Sequence, residues 1–111
     1  MSDRWKDLER TAARKLGGRR FPRWRDLFEK AVDVVVPDFP DLRIDCKSRA
    51  RFSHHRFLRE IDTKYCNANQ SPVLITKGHG ETGEVVSMPL DTLAGLLNEL
   101  RTLRRRAGRC G

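Results

Sequence analysis

Apolar residues recur along this chain with two periods, and the switches between them mark its elements. Trp5, Leu8, Ala12 and Leu16 fall at helical spacing within residues 3–16, where Asp3 is placed to cap the first turn and Gly17-Gly18 to end the last. Residues 19–23 read as a short strand leading into an irregular connection. The β-branched stretch 33–36 and the segment 42–48 read as two further strands. Between them Pro37-Asp38-Phe39-Pro40-Asp41 has turn chemistry, so the pair predicts a hairpin.

Phe57, Ile61 and Tyr65 then repeat every four residues on a helix that Ser53 caps and that runs to about Cys66. Residues 72–78 and 83–89 read as strands on either side of a turn. Leu90, Leu93, Leu97, Leu100 and Leu103 stripe a last helix, which starts near Asp91 and runs into a basic tail at about 104–111. The resulting order, αβββαββα without repeat or linker, predicts one α/β domain over residues 1–111, with a mixed central sheet flanked by helices.

A sheet covered on both faces has apolar strands, which makes Asp45 and Lys47 conspicuous. Residues i and i+2 of a strand share a face, so these two are neighbours while Ile44 and Cys46 face the other way. Burying a carboxylate and an ammonium is costly unless they are paired or bound to something. A second acidic-x-Lys triplet, Asp62-Thr63-Lys64, falls on a predicted helix, where i and i+2 diverge by about 200°, and drops out.

Other carboxylates converge on the first triplet. Asp33 reaches the Asp45 face if it stands opposite residue 45 or 47, which leaves a turn of five residues (37–41) or three (39–41). Glu9, at the edge of the first helix's apolar stripe, supplies a third. Three carboxylates beside a lysine make a hard-cation site of the kind magnesium occupies. The lysine can orient a water and stabilise charge developing on a phosphate.

Charge supports a phosphate-bearing partner. The net charge is +8, and 17 of the 23 basic residues are arginine, whose planar fork matches phosphate. Arg19, Arg20, Arg23 and Arg25 interleave with Phe21 and Trp24, and Arg49, Arg51, Arg56 and Arg59 follow the Asp45 strand; both groups read as surfaces for a DNA backbone. The tail arginines Arg101, Arg104, Arg105, Arg106 and Arg109 either add to that surface or stand free. His54 and His55 read as surface residues at a helix start, and Lys64 as an exposed lysine.

No purely apolar run exceeds three residues, which excludes a transmembrane helix, and "MSDRWKDLER" lacks the apolar stretch of a secretory leader. Cys46, Cys66 and Cys110 have no paired spacing, which argues against a disulfide framework or a zinc site and for a reducing, cytoplasmic setting.

Asp33, then Asp45-Cys46-Lys47, with Glu9 on a preceding helix and an αβββαβ order, resembles the PD-(D/E)xK nuclease superfamily and its restriction-endonuclease-like core. Within it the chain is most similar to the archaeal-type Holliday junction resolvases, which also occur in phages. "PVLITKG" and "SMPLDTLAGLL" resemble that family's later strands and closing helix, so the likeness spans about residues 5–100.

The resemblance implies that Glu9, Asp33 and Asp45 hold Mg2+, with Mn2+ as the alternative ion, and that Lys47 is the catalytic lysine. It implies a DNA endonuclease that resolves four-way junctions by paired symmetric nicks, in a prokaryotic cell or a phage-infected host. Two cuts on a two-fold substrate require two sites, and one 111-residue chain carries one, so a homodimer is expected, joined by the leucine-striped helix or a sheet edge.

The chain departs from the family twice: Asp45 stands where the resolvases carry glutamate, and "PRWRDLFEKA" lacks the serine and glycine of their loop. The literal Pro37-Asp38 and Pro40-Asp41 dipeptides fall in the hairpin turn and read as turn formers. Two other functions fit the same residues: a nuclease for other branched or single-stranded DNA, and a non-catalytic DNA-binding protein of this fold.

Overall fold

The computed structural model describes residues 4–20 and 32–110, the side chains of 109 and 110 excepted. Its elements run α1 (Arg4–Leu16), β1 (Arg19–Arg20), β2 (Val34–Val35), β3 (Leu42–Arg49), α2 (His54–Tyr65), β4 (Ser71–Gly78), β5 (Val85–Ser87) and α3 (Leu90–Cys110). The five strands lie side by side in chain order. Strands β3 and β4 are parallel and every other pair is antiparallel, giving the mixed sheet that the sequence predicts. The parallel step needs a crossover, and α2 supplies it.

Helix α1 ends as the glycine pair predicts. Gly17 takes a left-handed φ of +69°, and Gly18 N–H reaches Ala13 O at 2.8 Å while Gly17 N–H reaches Arg14 O at 3.4 Å, which closes the helix with a Schellman motif. Gly18 is needed for a second reason: a Cβ there would lie 2.4 Å from the carbonyl oxygen of Val35, closing off the approach that lets β1 pair with β2.

Alternation along the strands sorts the core into two layers. Val34, Val36, Ile44, Cys46, Val73 and Ile75 pack with Leu8, Ala12 and Ala13 of α1, and Leu74 packs on the opposite face with Phe57 and Ile61 of α2. Helices therefore cover both faces of β3 and β4, the two central strands.

Several expectations change at the edges. Trp5 and Leu16 are about two-fifths exposed, so the buried stripe of α1 is Leu8, Glu9, Ala12 and Ala13. Strand β5 is shorter than 83–89, and α3 continues as helix through the basic tail to Cys110. Ser53 occupies the N-cap of α2 without a side-chain cap hydrogen bond. Asp3 and residues 21–23 of the first predicted strand lie outside the described residues. No helix among the described residues is long and apolar enough to cross a membrane.

None of the described residues of α3 is buried. The radius of gyration, 15.4 Å, exceeds the about 13 Å expected of a compact chain this long, as a helix packed on one edge requires.

Candidate active site

The register of the β2–β3 hairpin decides where Asp33 goes. Val34 pairs with Ile44, so residue 33 stands opposite 45, the alternative that leaves the five-residue turn. That turn is held by Phe39 N–H to Val36 O at 2.9 Å and Leu42 N–H to Phe39 O at 3.1 Å. Asp38 and Asp41 are exposed in it, away from the carboxylate cluster.

Regular pairing stops at Val34. Asp33 N–H still bonds Ile44 O at 3.1 Å, but the next ladder position is filled by a side chain: Asp33 Oδ2 accepts the N–H of Cys46 at 2.9 Å. The carboxylate thus replaces a strand carbonyl where β2 leaves β3, and is fixed beside Asp45. The sequence offers no sign of this bond beyond the register itself.

Asp45 is buried, and its Oδ2 lies 3.3 Å from Lys47 Nζ. Burial raises the Asp33 pKa most, followed by the hydrogen bond to Asp45 and the charge of Asp45. These, with the charge of Glu9, outweigh the Cys46 N–H and push Asp33 from 3.8 up to about 8. At neutral pH the Asp33 carboxyl therefore keeps a proton. Burial likewise pushes the Cys46 thiol up, so it stays protonated and is no nucleophile.

Glu9 is the third carboxylate, 2% exposed on the buried side of α1. Arg20 Nε stands 3.6 Å from Glu9 Oε1, a pairing the sequence reading missed because it assigned Arg20 to DNA. Among the described residues, no three metal-ligating side chains are gathered as a ready-made cation cage. Asp33 and Asp45 touch, and Glu9 lies near enough to act on Asp33 by charge.

Glu9, Asp33, Asp45 and Lys47 line one cavity of about 400 Å³, together with Trp5 and Lys64. Lys64, expected to be a plain surface lysine, is exposed yet borders this cavity. Arg49 also borders it. Beneath the rim lies a further feature that residue spacing did not suggest: Lys47 Nζ, Arg49 Cζ and Arg56 Cζ stand 5.6, 5.4 and 5.8 Å from the centroid of the Phe57 ring. One buried phenyl thus serves three cations, of which Lys47 also pairs with Asp45 and Arg56 with Glu60 at 3.4 Å.

The remaining basic residues scatter. Arg51 and Arg59 are exposed and do not border the cavity, Arg19 is exposed on β1, and Arg23 and Arg25 lie outside the described residues. His54 and His55 are exposed at the start of α2, as expected. Searches against protein-family models, curated proteins and solved structures return no match.

The raised Asp33 carboxyl has a measurable consequence. Its folded pKa lies above the unfolded value, so the native state binds the proton more tightly. That stabilisation is complete below about pH 4 and is lost as pH rises through about 8. Asp33→Asn keeps an uncharged acceptor at every pH. Between pH 5.5 and 8.5 the melting temperature of the metal-free chain is expected to fall by ~5 °C or more relative to that of Asp33→Asn. Circular dichroism melts at the two pH values check this, and parallel profiles would place Asp33 in an ordinary environment.

Proposed function

We propose that this protein is a metal-dependent DNA endonuclease whose site is the Glu9–Asp33–Asp45–Lys47 cavity, and that its substrate is a four-way DNA junction. The observation that carries the reading is the contact of two carboxyls, half-buried Asp33 and buried Asp45, with a lysine 3.3 Å from one of them. Two carboxyls in contact need either a proton or a cation between them.

The donor set fits magnesium, with manganese as the alternative, because Glu9, Asp33 and Asp45 all offer carboxylate oxygens. Asp33 and Asp45 would hold the ion, with Glu9 as the third donor. Such an ion supplies polarisation of a bound water and of a phosphate oxygen.

The chain's own groups perform the rest. Lys47, fixed by Asp45 and by the Phe57 ring, presents an ammonium to the water and to the charge developing on the phosphate. Arg49 and Arg56 flank it on the same ring, where they would hold backbone phosphates next to the scissile one. None of these contacts reads a base, so selection among DNAs would come from shape and from the number of arms engaged. The element order and the parallel β3–β4 step agree with the resemblance to the junction resolvases, and that resemblance supplies the choice of junction as substrate.

Metal binding is tested by thermal shift. At pH 8, millimolar Mg2+ or Mn2+ is expected to raise the melting temperature of the wild-type chain and to leave Asp45→Asn unmoved. Equal shifts in the two proteins would remove the carboxylate pair as the metal site.

A further inference from the structure

A second hollow opens on the same face of the sheet as Asp45 and Lys47. Of about 420 Å³, it lies between the β3–α2 connection and the β4–β5 turn, and Phe52, His54, Thr76, Glu81, Thr82 and Val85 line it. Thr76 is the β4 partner of Lys47 in the parallel register, and residues side by side in a sheet point the same way. The floor of the hollow therefore stands one strand spacing, about 4.8 Å, from the β3 backbone at Lys47.

Its two sides differ in chemistry. One is aromatic: Phe52 is half-buried against the cluster of Phe57, Ile61 and Leu74, and the His54 ring meets it with centroids 5.8 Å apart at 41°. The other sets the carboxylate of Glu81 and the hydroxyl of Thr82 beside the apolar Val85, which is 58% exposed. Gly80 and Gly83, at φ of +81° and +83°, turn the chain on either side of that polar pair. Gly78 makes room for it. Glu81 N–H bonds Gly78 O at 3.1 Å, and a Cβ on Gly78 would lie 3.0 Å from Glu81 Cγ.

An aromatic wall facing hydrogen-bonding groups suits a nucleobase, which has an apolar face and a polar edge. The surroundings narrow the ligand further. Lys47, Arg49 and Arg56 gather on the Phe57 ring, next to Phe52 in the same apolar cluster. Ala50 of the hollow directly follows Arg49 of the carboxylate cavity. Phosphate on those cations and a flat ring in the hollow are the two parts of one nucleotide. A base inside a duplex keeps its faces on its neighbours, so the occupant has to be unstacked.

We propose that this hollow takes one unstacked base of the bound DNA, within about two nucleotides of the phosphate at Lys47, its face against Phe52 and His54 and its polar edge towards Glu81 and Thr82. A carboxylate accepts from an exocyclic amino group, so Glu81 favours bases that carry one over thymine. A mismatched or unpaired base costs least to withdraw, so the site adds a preference for interrupted DNA over continuous duplex. The inference rests on DNA as the ligand and not on cleavage.

Fluorescence of 2-aminopurine tests it. The analogue is moved in turn through the positions flanking the crossover of a synthetic four-way junction, and each junction is saturated with the full chain in chelator. A several-fold rise is expected at one position near the crossover, and none at the matching position of a linear duplex. Phe52→Leu keeps an apolar side chain against the α2 cluster. It is expected to lose the rise and to weaken junction binding about 10-fold with unchanged salt dependence, since no phosphate contact is removed. His54→Ala, at an exposed position, is expected to lose part of both.

Saturated binding with no rise at any position overturns the proposal, as does a rise that Phe52→Leu and His54→Ala leave intact. Absence of junction binding overturns it together with the reading of DNA as substrate. A rise that depends on Phe52, with no cleavage once magnesium is added, upholds the base site and removes the nuclease; cleavage without the rise does the reverse.

Discussion

Asp45→Asn is expected to lower the single-turnover rate of junction cleavage by roughly 10³-fold, and Lys47→Ala by a similar factor. Both should bind the junction about as well as wild type, because affinity for DNA comes mainly from phosphate contacts by the arginines. Circular dichroism of the variants separates this loss from unfolding. Asp45 raises the Asp33 pKa by its hydrogen bond and by its charge, so making residue 45 neutral also lowers the Asp33 pKa, while it removes the Lys47 ion pair.

Asp33→Ala should be as inactive, whereas Asp38→Ala and Asp41→Ala, in the exposed turn, should cut at wild-type rates. Near-normal cleavage by Asp45→Asn, or loss in the turn variants with retention in Asp33→Ala, would put the chemistry elsewhere.

The second large effect is on binding. A chain of net charge +8 that neutralises about six phosphates loses roughly 10³-fold in junction affinity between 50 and 200 mM salt. Arg49 and Arg56, gathered with Lys47 around Phe57, should each account for one of those contacts. Arg49→Ala and Arg56→Ala should therefore weaken binding to every sequence alike, and each should reduce the slope of log K against log salt by about one. Arg59→Ala, exposed on the same helix as Arg56 but not one of the three cations on the Phe57 ring, serves as the comparison. Unchanged slopes for Arg49→Ala and Arg56→Ala would remove the phenyl-centred cluster from the DNA surface.

Much of the architecture is legible in the residues because each element is punctuated. Gly17-Gly18 stops α1 through the positive φ of Gly17, and the Pro-Asp turn sets the β2–β3 register. Spacing by four places Phe57 and Ile61 on the buried face of α2. The same argument brings Asp33 to the Asp45 face in either of two registers, opposite 45 or 47, and the Val34–Ile44 pairing selects the first.

What escaped the sequence depends on contacts between elements. Period-four spacing put Trp5 and Leu16 in the buried stripe of α1, but helical periodicity says nothing of where a helix overhangs its sheet. Trp5 borders the carboxylate cavity and Leu16 an apolar groove. Arg20 looked like a surface arginine within a basic run, yet it stands against the buried Glu9, because β1 passes beside α1. The gathering of Lys47, Arg49 and Arg56 on one ring requires β3 and the start of α2 to meet, which no single-element pattern encodes.

The most direct measurement is incubation of the purified chain with an end-labelled synthetic four-way junction and a linear duplex of the same arms, in magnesium and in chelator. The expected result is paired nicks at symmetric positions near the crossover in magnesium, yielding linear products that ligase can seal, with little cutting of the duplex and none in chelator. Cutting of single strands or duplex without preference for the junction would keep the catalytic residues and change the substrate. Tight junction binding with no cleavage in magnesium or manganese would contradict the enzyme and leave a DNA-binding protein.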